Sequence, residues 1–361
     1  MDMVNVEDCC EILDSMRVPI TASERKEGKY PYYGANGIQD YVDDYIFDDE
    51  LVLLAEDGGN FGSRERPIAY RISGKCWVNN HAHVLKPKKG LDVDYLCYSL
   101  MFYKVEGIVN GATRKKLTQA AMRKMQIPFR RMEEQIHIVN NLNYVLKVKE
   151  KRERKLKLLD ELVRGRFVEL FGHPENNEMN WPQYCFGDIC TVRQGLQIPI
   201  SKRLTETEEN CYEYITVAYL HGGKEREYIK DPKDSVICHE DDILMTRTGN
   251  TGMVVTDVEG VFHNNFFLID FDRNRFSKGF LVEYLNLDYI QADILRRAGT
   301  STIPDLNHGD FYKMKIYEPP IALQKEFEAF SRQIDKSKLI VQKELDETQL
   351  LFDSLMQEYF G

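Results

Sequence analysis

The stretch KMQIPFRRMEEQ, Lys124 to Gln135, returns as KMKIYEPPIALQ, Lys313 to Gln324, and RFVELFG (Arg166 to Gly172) returns as LMQEYFG (Leu355 to Gly361). One interval of 189 residues relates the two copies, taking Lys124 to Lys313 and Gly172 to Gly361 without a gap. At that interval Met125 and Ile127 match Met314 and Ile316, Gln135 matches Gln324, and Leu156 and Leu162 match Leu345 and Leu351. Glu169 and Phe171 match Glu358 and Phe360, and upstream Thr113 and Leu117 match Thr302 and Leu306. The chain is a tandem repeat, and a repeat on this scale fixes the architecture before any single motif does.

Each copy ends in a long helical pattern. The first runs from Met132 to about Leu170, with apolar residues at Ile138, Leu142, Val145, Leu156, Leu159, Val163 and Leu170. Steps of three and four make a heptad seam, which Lys149 and Arg152 interrupt. The second shows Phe327, Phe330, Ile334, Val341, Leu345, Thr348, Phe352, Leu355 and Tyr359, with a stutter between Val341 and Leu345. Pro128 precedes one helix and Pro319 and Pro320 the other, apt punctuation for a helix start. A helix of about 38 residues spans roughly 57 Å, the scale of one to two turns of duplex DNA. Two such helices on one chain can bury their seams against each other; a bare oligomerisation stem is the plainer reading of the same pattern.

Ahead of each helix lies a globular segment with the same internal order. YIFDDELVLLAEDGGNFG predicts a strand and a glycine turn, followed by GKCWVNNHAHVLKP; DSVICHEDDILMTRTGNTGMVVTD predicts strand, turn and strand, followed by GVFHNNFFLIDF. Asn79-Asn80 corresponds loosely to Asn264-Asn265. An amphipathic helix (VDYLCYSLMFYKVEGI or GFLVEYLNLDYIQADI) and a small-residue turn (NGATRKKL or AGTSTIPDL) complete each segment. With 20 Tyr and 18 Phe, these segments favour sheet, because aromatics suit a pleated surface. The expected fold class is α+β: two sheet-rich globular domains separated and followed by two long helices. The expected boundaries are 1–130, 131–172, 173–318 and 319–361.

The formal net charge is −10, whereas a protein that holds only phosphates is ordinarily basic. Positive charge must therefore be local. From Thr113 to Arg131 there are seven basic residues and no acidic one: Arg114, Lys115, Lys116, Arg123, Lys124, Arg130 and Arg131. From Leu146 to Arg166 nine Lys and Arg outnumber four Asp and Glu, a pattern that suits a solvated or subunit-facing helix better than a DNA contact. The second copy is less basic, with Asp305, Asp310 and Glu318. The acidic run from Asp40 to Asp57 is expected to face away from DNA or toward a partner.

In layout and in its segments the chain resembles the specificity subunit of type I restriction–modification systems. GKYPYYGANGIQDYVDDYIF…LVLLAEDGGNFG is similar to one common class of first target-recognition domain, and WPQYCFGDICTVRQG…DDILMTRTGNTG to another. NGATRKKLTQAAMRKMQIP resembles the family's passage from recognition domain to helix, with GTSTIPDLNHGDFYKMKI as its counterpart. The second copy departs in carrying Tyr317-Glu318 before its prolines. The resemblance covers essentially the whole chain. It implies target-recognition domains at 1–130 and 173–318 that each read half of a bipartite site in double-stranded DNA. It implies spacer helices at 131–172 and 319–361, packed as an antiparallel coiled coil, that fix the gap and dock methyltransferase subunits, two being the expected number. Those partners would carry adenine-N6 methylation with S-adenosylmethionine, and restriction subunits join in full systems. This chain would then be non-catalytic, without a cofactor of its own. A methylation-only complex and a coiled-coil adaptor without DNA reading are the alternatives, the acidic balance speaking for the adaptor.

Base reading needs paired donors and acceptors, Arg for guanine and Asn or Gln for adenine, carried on turns that reach a groove. The candidates are Tyr32, Tyr33, Asn36, Asn60 and Arg64 with Arg114, Lys115 and Lys116 in the first copy, and Arg193, Gln194, Arg247, Thr248, Asn250 and Thr251 in the second. The plainer reading is that these Gly/Asn turns only shape hairpins.

Other signals carry little. His81 and His83 would share a strand face, yet no Cys or carboxylate at ligand spacing completes a metal site. No G-x-x-x-x-G-K-[ST] loop occurs. Gly58-Gly59-Asn60-Phe61-Gly62 lacks the spacing of a dinucleotide site. Asn264-Asn265-Phe266-Phe267 lacks the Pro-Pro of an adenine methyltransferase motif and is read as strand. The eight Cys form no C-x-x-C pair and follow a polar N-terminus, the pattern of reduced thiols in a cytoplasmic protein. No apolar run approaches the ~18 residues of a membrane span.

Overall fold

A computed structural model describes residues 2–63, 65–111, 115–220, 222, 225–299 and 304–361. The chain divides into two compact units, one made of Met1–Glu153 with Lys343–Gly361 and the other of Arg154–Gln342. The two long helices, Met132–Phe171 and Ile321–Phe360, each run for 40 residues. Each globular segment is therefore completed by the last part of the helix that belongs to the other repeat.

In the first unit the strands are β1 (Asp2–Asn5), β2 (Cys10–Ile12), β3 (Glu27–Gly34), β4 (Gly37–Val42), β5 (Phe47–Ala55), β6 (Ala69–Val78), β7 (Ala82–Pro87) and β8 (Gln126–Phe129). A six-stranded sheet has the order β2-β7-β5-β6-β3-β4, and β1 pairs separately with β8. Only β3 and β6 run parallel in it. β5, FDDELVLLA, carries three acidic residues near its start and ends in the apolar run LVLLA, whose five residues are all buried, as a central strand covered on both faces requires. The helix Val93–Met101 lies on the sheet and is capped by Asp92, whose side chain accepts from the Tyr95 N–H.

The core here takes in Leu54, Leu85, Tyr95, Leu96, Leu117 and Ile127, together with Ile138, Leu142 and Val145 of the first long helix and Phe352 of the second. The two helix segments pack antiparallel. The polar residues that break the seam meet polar partners: Lys149 Nζ donates to Gln349 Oε1 at 2.7 Å, and Arg152 donates to the Glu344 carbonyl at 2.7 Å and to the Thr348 hydroxyl. A half-buried polar station of this kind favours one register in a coiled coil.

In the second unit β9 (Gln183–Cys185) pairs with β18 (Lys315–Tyr317), as β1 does with β8. Two four-stranded sheets follow. One has the order β10 (Cys190–Gln194), β17 (Phe266–Phe271), β14 (Ile243–Thr246), β15 (Val254–Val255); the other β12 (Tyr228–Lys230), β11 (Cys211–Ile215), β16 (Gly260–Phe262), β13 (Ile237–Cys238). Asn264 and Asn265 form the turn between β16 and β17 and only Phe266 and Phe267 are strand, which corrects the expectation of strand throughout. The expected single amphipathic helix is two, Lys278–Asn286 and Asp288–Ala298, broken at Leu287.

The second core is aromatic. Phe167 and Phe171 of the first long helix stack among Phe280 and Phe327, with ring centroids 4.8 to 5.6 Å apart. Here too the helices are antiparallel, with Arg166 on Glu326 at 3.0 Å and Lys338 on Asp160 at 2.7 Å. The seam closes on Phe167 and Phe171, both fully buried, and Leu170 is only partly covered. The reason is the partner surface: the bulky aromatic pocket takes the residues one helical turn apart, 167 and 171, and turns Leu170 aside. Among the described residues, no helix is long and apolar enough to cross a membrane.

Candidate nucleic-acid interface

In the first unit the loop after β5, the turn Asn79–His81 and the residues Asn110, Lys116 and Leu117 converge at one end of the six-stranded sheet. The Glu56 N–H donates to the His81 carbonyl at 2.9 Å and the Leu117 N–H to the Glu56 carbonyl at 2.7 Å. Asn110 and Lys116 exchange backbone bonds of 2.9 and 2.7 Å, and Lys115 beside them is exposed. Asn36, at the β3–β4 turn, donates to the Gly58 carbonyl at 2.9 Å.

The second unit repeats this assembly with other residues. The Arg247 N–H donates to the Asn265 carbonyl at 2.7 Å and the Leu306 N–H to the Arg247 carbonyl at 2.9 Å. Leu117 and Leu306 are an identical pair at the repeat interval. By these bonds Arg247 stands where Glu56 does, and Asn265 stands where His81 does. The β14–β15 turn is held down from below, since Gln291 Nε2 donates to the Gly252 carbonyl at 2.9 Å. Gly252 has φ +91°, and a Cβ there would lie 2.8 Å from Gln291 Oε1, so only glycine suits the turn.

Beneath the first loop cluster sits a buried charged knot. His83, fully buried, has Asp14 Oδ2 2.6 Å from Nδ1 and the Leu117 carbonyl 2.9 Å from Nε2. Asp14 also accepts from the Val84 N–H and from Gln119, both at 2.9 Å. Burial pushes the Asp14 carboxyl up, but these bonds and the charge of His83 outweigh it and hold the group below the usual carboxylate range. Glu56 behaves alike: burial raises it, and the bonds from Arg17 and Lys116 lower it further than burial lifts it. Asp14, Glu56 and His83 offer ligand atoms within 4.8 Å of one another. No carboxylate stands at ligand spacing beside His81 and His83 in the sequence, because Asp14 comes from a short 3-10 turn and Glu56 from the loop after β5. The cation that the geometry holds is Arg17, 2.7 Å from Glu56 and 3.5 Å from Asp14. His81 is drawn elsewhere, 2.6 Å from Asp57.

The candidate contact residues divide accordingly. Asn36, Lys115, Gln194 and Asn250 are exposed, and Tyr33, Asn60, Arg193, Arg247 and Thr248 are half-buried at the same loop ends or strand ends. Lys116 is ion-paired with Glu56 at 3.0 Å. Tyr32 and Thr251 are corrected. Tyr32 is 1% exposed, its ring under Arg25 and its hydroxyl on the backbone of Ile20. Thr251 is 8% exposed and spends its hydroxyl on the carbonyls of Arg247 and Pro304. Both are framework for the loops. Arg64 and Arg114 lie outside the described residues. Of the remaining basic residues, Arg130 is structural, donating to the Tyr359 carbonyl at 3.3 Å, and Arg123 faces Glu7 at 3.6 Å.

The model of the type I restriction modification DNA specificity domain matches residues 1–159 and again 178–348. A putative type I restriction enzyme specificity subunit of Haemophilus influenzae is 37% identical over 138 residues, 38% of this chain and 35% of that protein. The EcoprrI specificity subunit of Escherichia coli is 26% identical over 117 residues, 32% of this chain and 28% of that one. These alignments span about a third of the length of the relatives. In fold, the chain is similar over its whole length to the type I restriction–modification S subunit from M. genitalium, with TM-score 0.64, 16% identity and 96% of that chain covered. A chain from a structure of the assembly and conformational transition of the type I R-M system gives TM-score 0.58 and 15% identity, covering 99% of this chain and 96% of that one. With its model matched twice across most of the sequence, the chain belongs to the type I restriction modification DNA specificity domain family.

Proposed function

We propose that this chain is the DNA sequence-recognition subunit of a type I restriction–modification complex. Residues 1–130 and 173–318 act as its two target-recognition domains, and 131–172 and 319–361 as the spacer helices. The observation that carries this reading is the duplicated loop assembly, in which two sheets present loop clusters built on the same backbone bonds around Leu117 and Leu306 but with different side chains. Equal frames with unequal loops suit two half-sites of different sequence.

In this reading Asn36, Asn60 and Lys115 with Tyr33 serve one half-site, and Arg193, Gln194, Arg247, Thr248 and Asn250 the other. Arg and Asn supply the forked donor and acceptor sets that distinguish guanine and adenine in the major groove. Local positive charge around Lys115 and Lys124 meets phosphates, so the acidic total is no obstacle. The chain itself is non-catalytic and works in the cytoplasm. Two methyltransferase subunits dock on it, and restriction subunits complete the assembly.

Co-expression with the genomically adjacent methyltransferase, followed by mapping of methylated adenines, tests the reading. The expected result is a two-part motif with a fixed gap, one half of which changes when residues 174–312 are exchanged. Methylation that is the same with and without this chain overturns it and leaves the coiled-coil adaptor.

A further inference from the structure

Gln135 and Gln324 occupy matching positions 189 residues apart, each on the first turns of a long helix and each fully buried. The amide of Gln135 is completely satisfied: Oε1 accepts from the Asp92 N–H at 2.8 Å, and Nε2 donates to the carbonyls of Gly90 at 2.9 Å and Arg130 at 2.8 Å. Gln324 repeats the pattern, accepting from the Ser277 N–H at 2.9 Å and donating to the carbonyls of Arg275 at 2.9 Å and Pro319 at 2.8 Å. All six partners are backbone groups. The side chains around them differ entirely between the copies, so what is kept is a geometry.

Each amide joins three pieces of chain: the long helix, the residues that lead into it, and the turn that starts a domain helix. Asp92 caps the helix Val93–Met101 and Ser277 caps Lys278–Asn286. From there one connection reaches a recognition loop. In the first unit the Met101 carbonyl accepts from the Ile68 N–H at 2.9 Å, at the end of the loop that carries Asn60. In the second, Lys278–Asn286 leads into the helix whose Gln291 holds Gly252 in the turn that carries Arg247 and Asn250. Only a carboxamide of this length offers one acceptor and two donors here. Glutamate would set a carboxylate against two carbonyls, and methionine would leave three buried backbone groups unpaired.

We propose that Gln135 and Gln324 are positioning residues. Each clamps its globular domain to the start of its long helix and thereby makes the complex selective for one gap between half-sites. This rests on the recognition function proposed above. The test uses the chain in complex with its methyltransferase, and methylation rates on duplexes with the cognate gap or a gap one base pair longer or shorter. Gln135→Met and Gln324→Met are each expected to reduce the preference for the cognate gap by roughly ten- to a hundred-fold, the range that misplacing a group by about an ångström produces. Preference for the half-site sequences should persist. Should the methionine variants fail to fold, Gln135→Asn and Gln324→Asn, which keep a carboxamide but draw it back by one methylene, are read the same way. Lowered Tm with an unchanged gap preference overturns the clamp alone. A wild-type complex that methylates regardless of gap overturns the recognition function and the clamp together.

Discussion

The guanidinium of Arg247 meets the carboxylate of Asp305 side-on, Nε and Nη2 lying 3.0 and 2.9 Å from its two oxygens. At the equivalent station of the other unit the polarity is reversed: Lys116 supplies the cation and Glu56 the anion, 3.0 Å apart. In each pair the residue before the connecting leucine is bound to the residue whose carbonyl receives the leucine N–H. The bidentate pair occupies the fork with which Arg247 would read guanine. Asp305→Asn is expected to free that fork, raising binding to non-target duplex several-fold and lowering the ratio of target to non-target methylation. Anisotropy titrations at two salt concentrations check it; unchanged non-target binding would show that Arg247 faces no DNA.

The seam of the long helices offers a test of polar register. Arg152 donates to the Glu344 carbonyl and the hydroxyl of Thr348, which is 4% exposed. Arg152→Ala removes the donor to the Thr348 hydroxyl but leaves the Glu344 carbonyl bonded to that same hydroxyl at 2.7 Å, and should cost about 0.5–1.5 kcal/mol. Replacing the pair together, Arg152→Met with Thr348→Val, should recover most of that loss, because apolar substitutes for a polar pair withdrawn from water are often neutral. Denaturant titration of the three variants decides. A double variant as weak as the single one would mean that the apolar side chains do not fit the space.

Much of the fold could be read from the repeat. The interval of 189 residues, the prolines and the seam residues located both helices, since a period of three and four survives in any context. Which helix end completes which unit could not be read, because Phe167 and Phe360 look alike in sequence and only the antiparallel packing assigns them. The loops were legible as turns but not as contacts. Tyr32 and Thr251 sit in stretches rich in turn residues, yet strand alternation buries the first and the Pro304 carbonyl captures the second. The knot of Asp14, Arg17, Glu56 and His83 was invisible, as its members come from three separate stretches of chain.

That knot predicts an acid limit. Asp14 and Glu56 are both held below the ordinary carboxylate range in the folded chain. They bind fewer protons folded than unfolded, so their contribution is complete above the unfolded value of about 4 and disappears as pH falls through the folded values. The first unit should lose stability below about pH 4. Asp14→Asn should lower Tm at neutral pH, because His83 loses its anion, and should flatten the acid dependence. A wild-type Tm that is constant down to about pH 3 would rule out the knot as a stabilising element.

Phe167 is encoded in the first repeat but belongs to the second unit, where it packs 5.3 Å from both Phe280 and Phe327. Phe360 does the converse, lying 5.2 Å from Tyr95 in the first unit. Phe167 is 0% exposed, so Phe167→Ala leaves a cavity and should cost about 3–5 kcal/mol. The damage should appear where the side chain is packed and not where its sequence neighbours are. Amide hydrogen exchange is therefore expected to quicken through Lys278–Asn286 while Val93–Met101 keeps its protection, since local opening follows local packing. Phe360→Ala should give the mirror result, with faster exchange in Val93–Met101, though smaller because Phe360 is only partly buried. If Phe167→Ala instead loosened Val93–Met101, the exchange of helix ends between the repeats would be wrong.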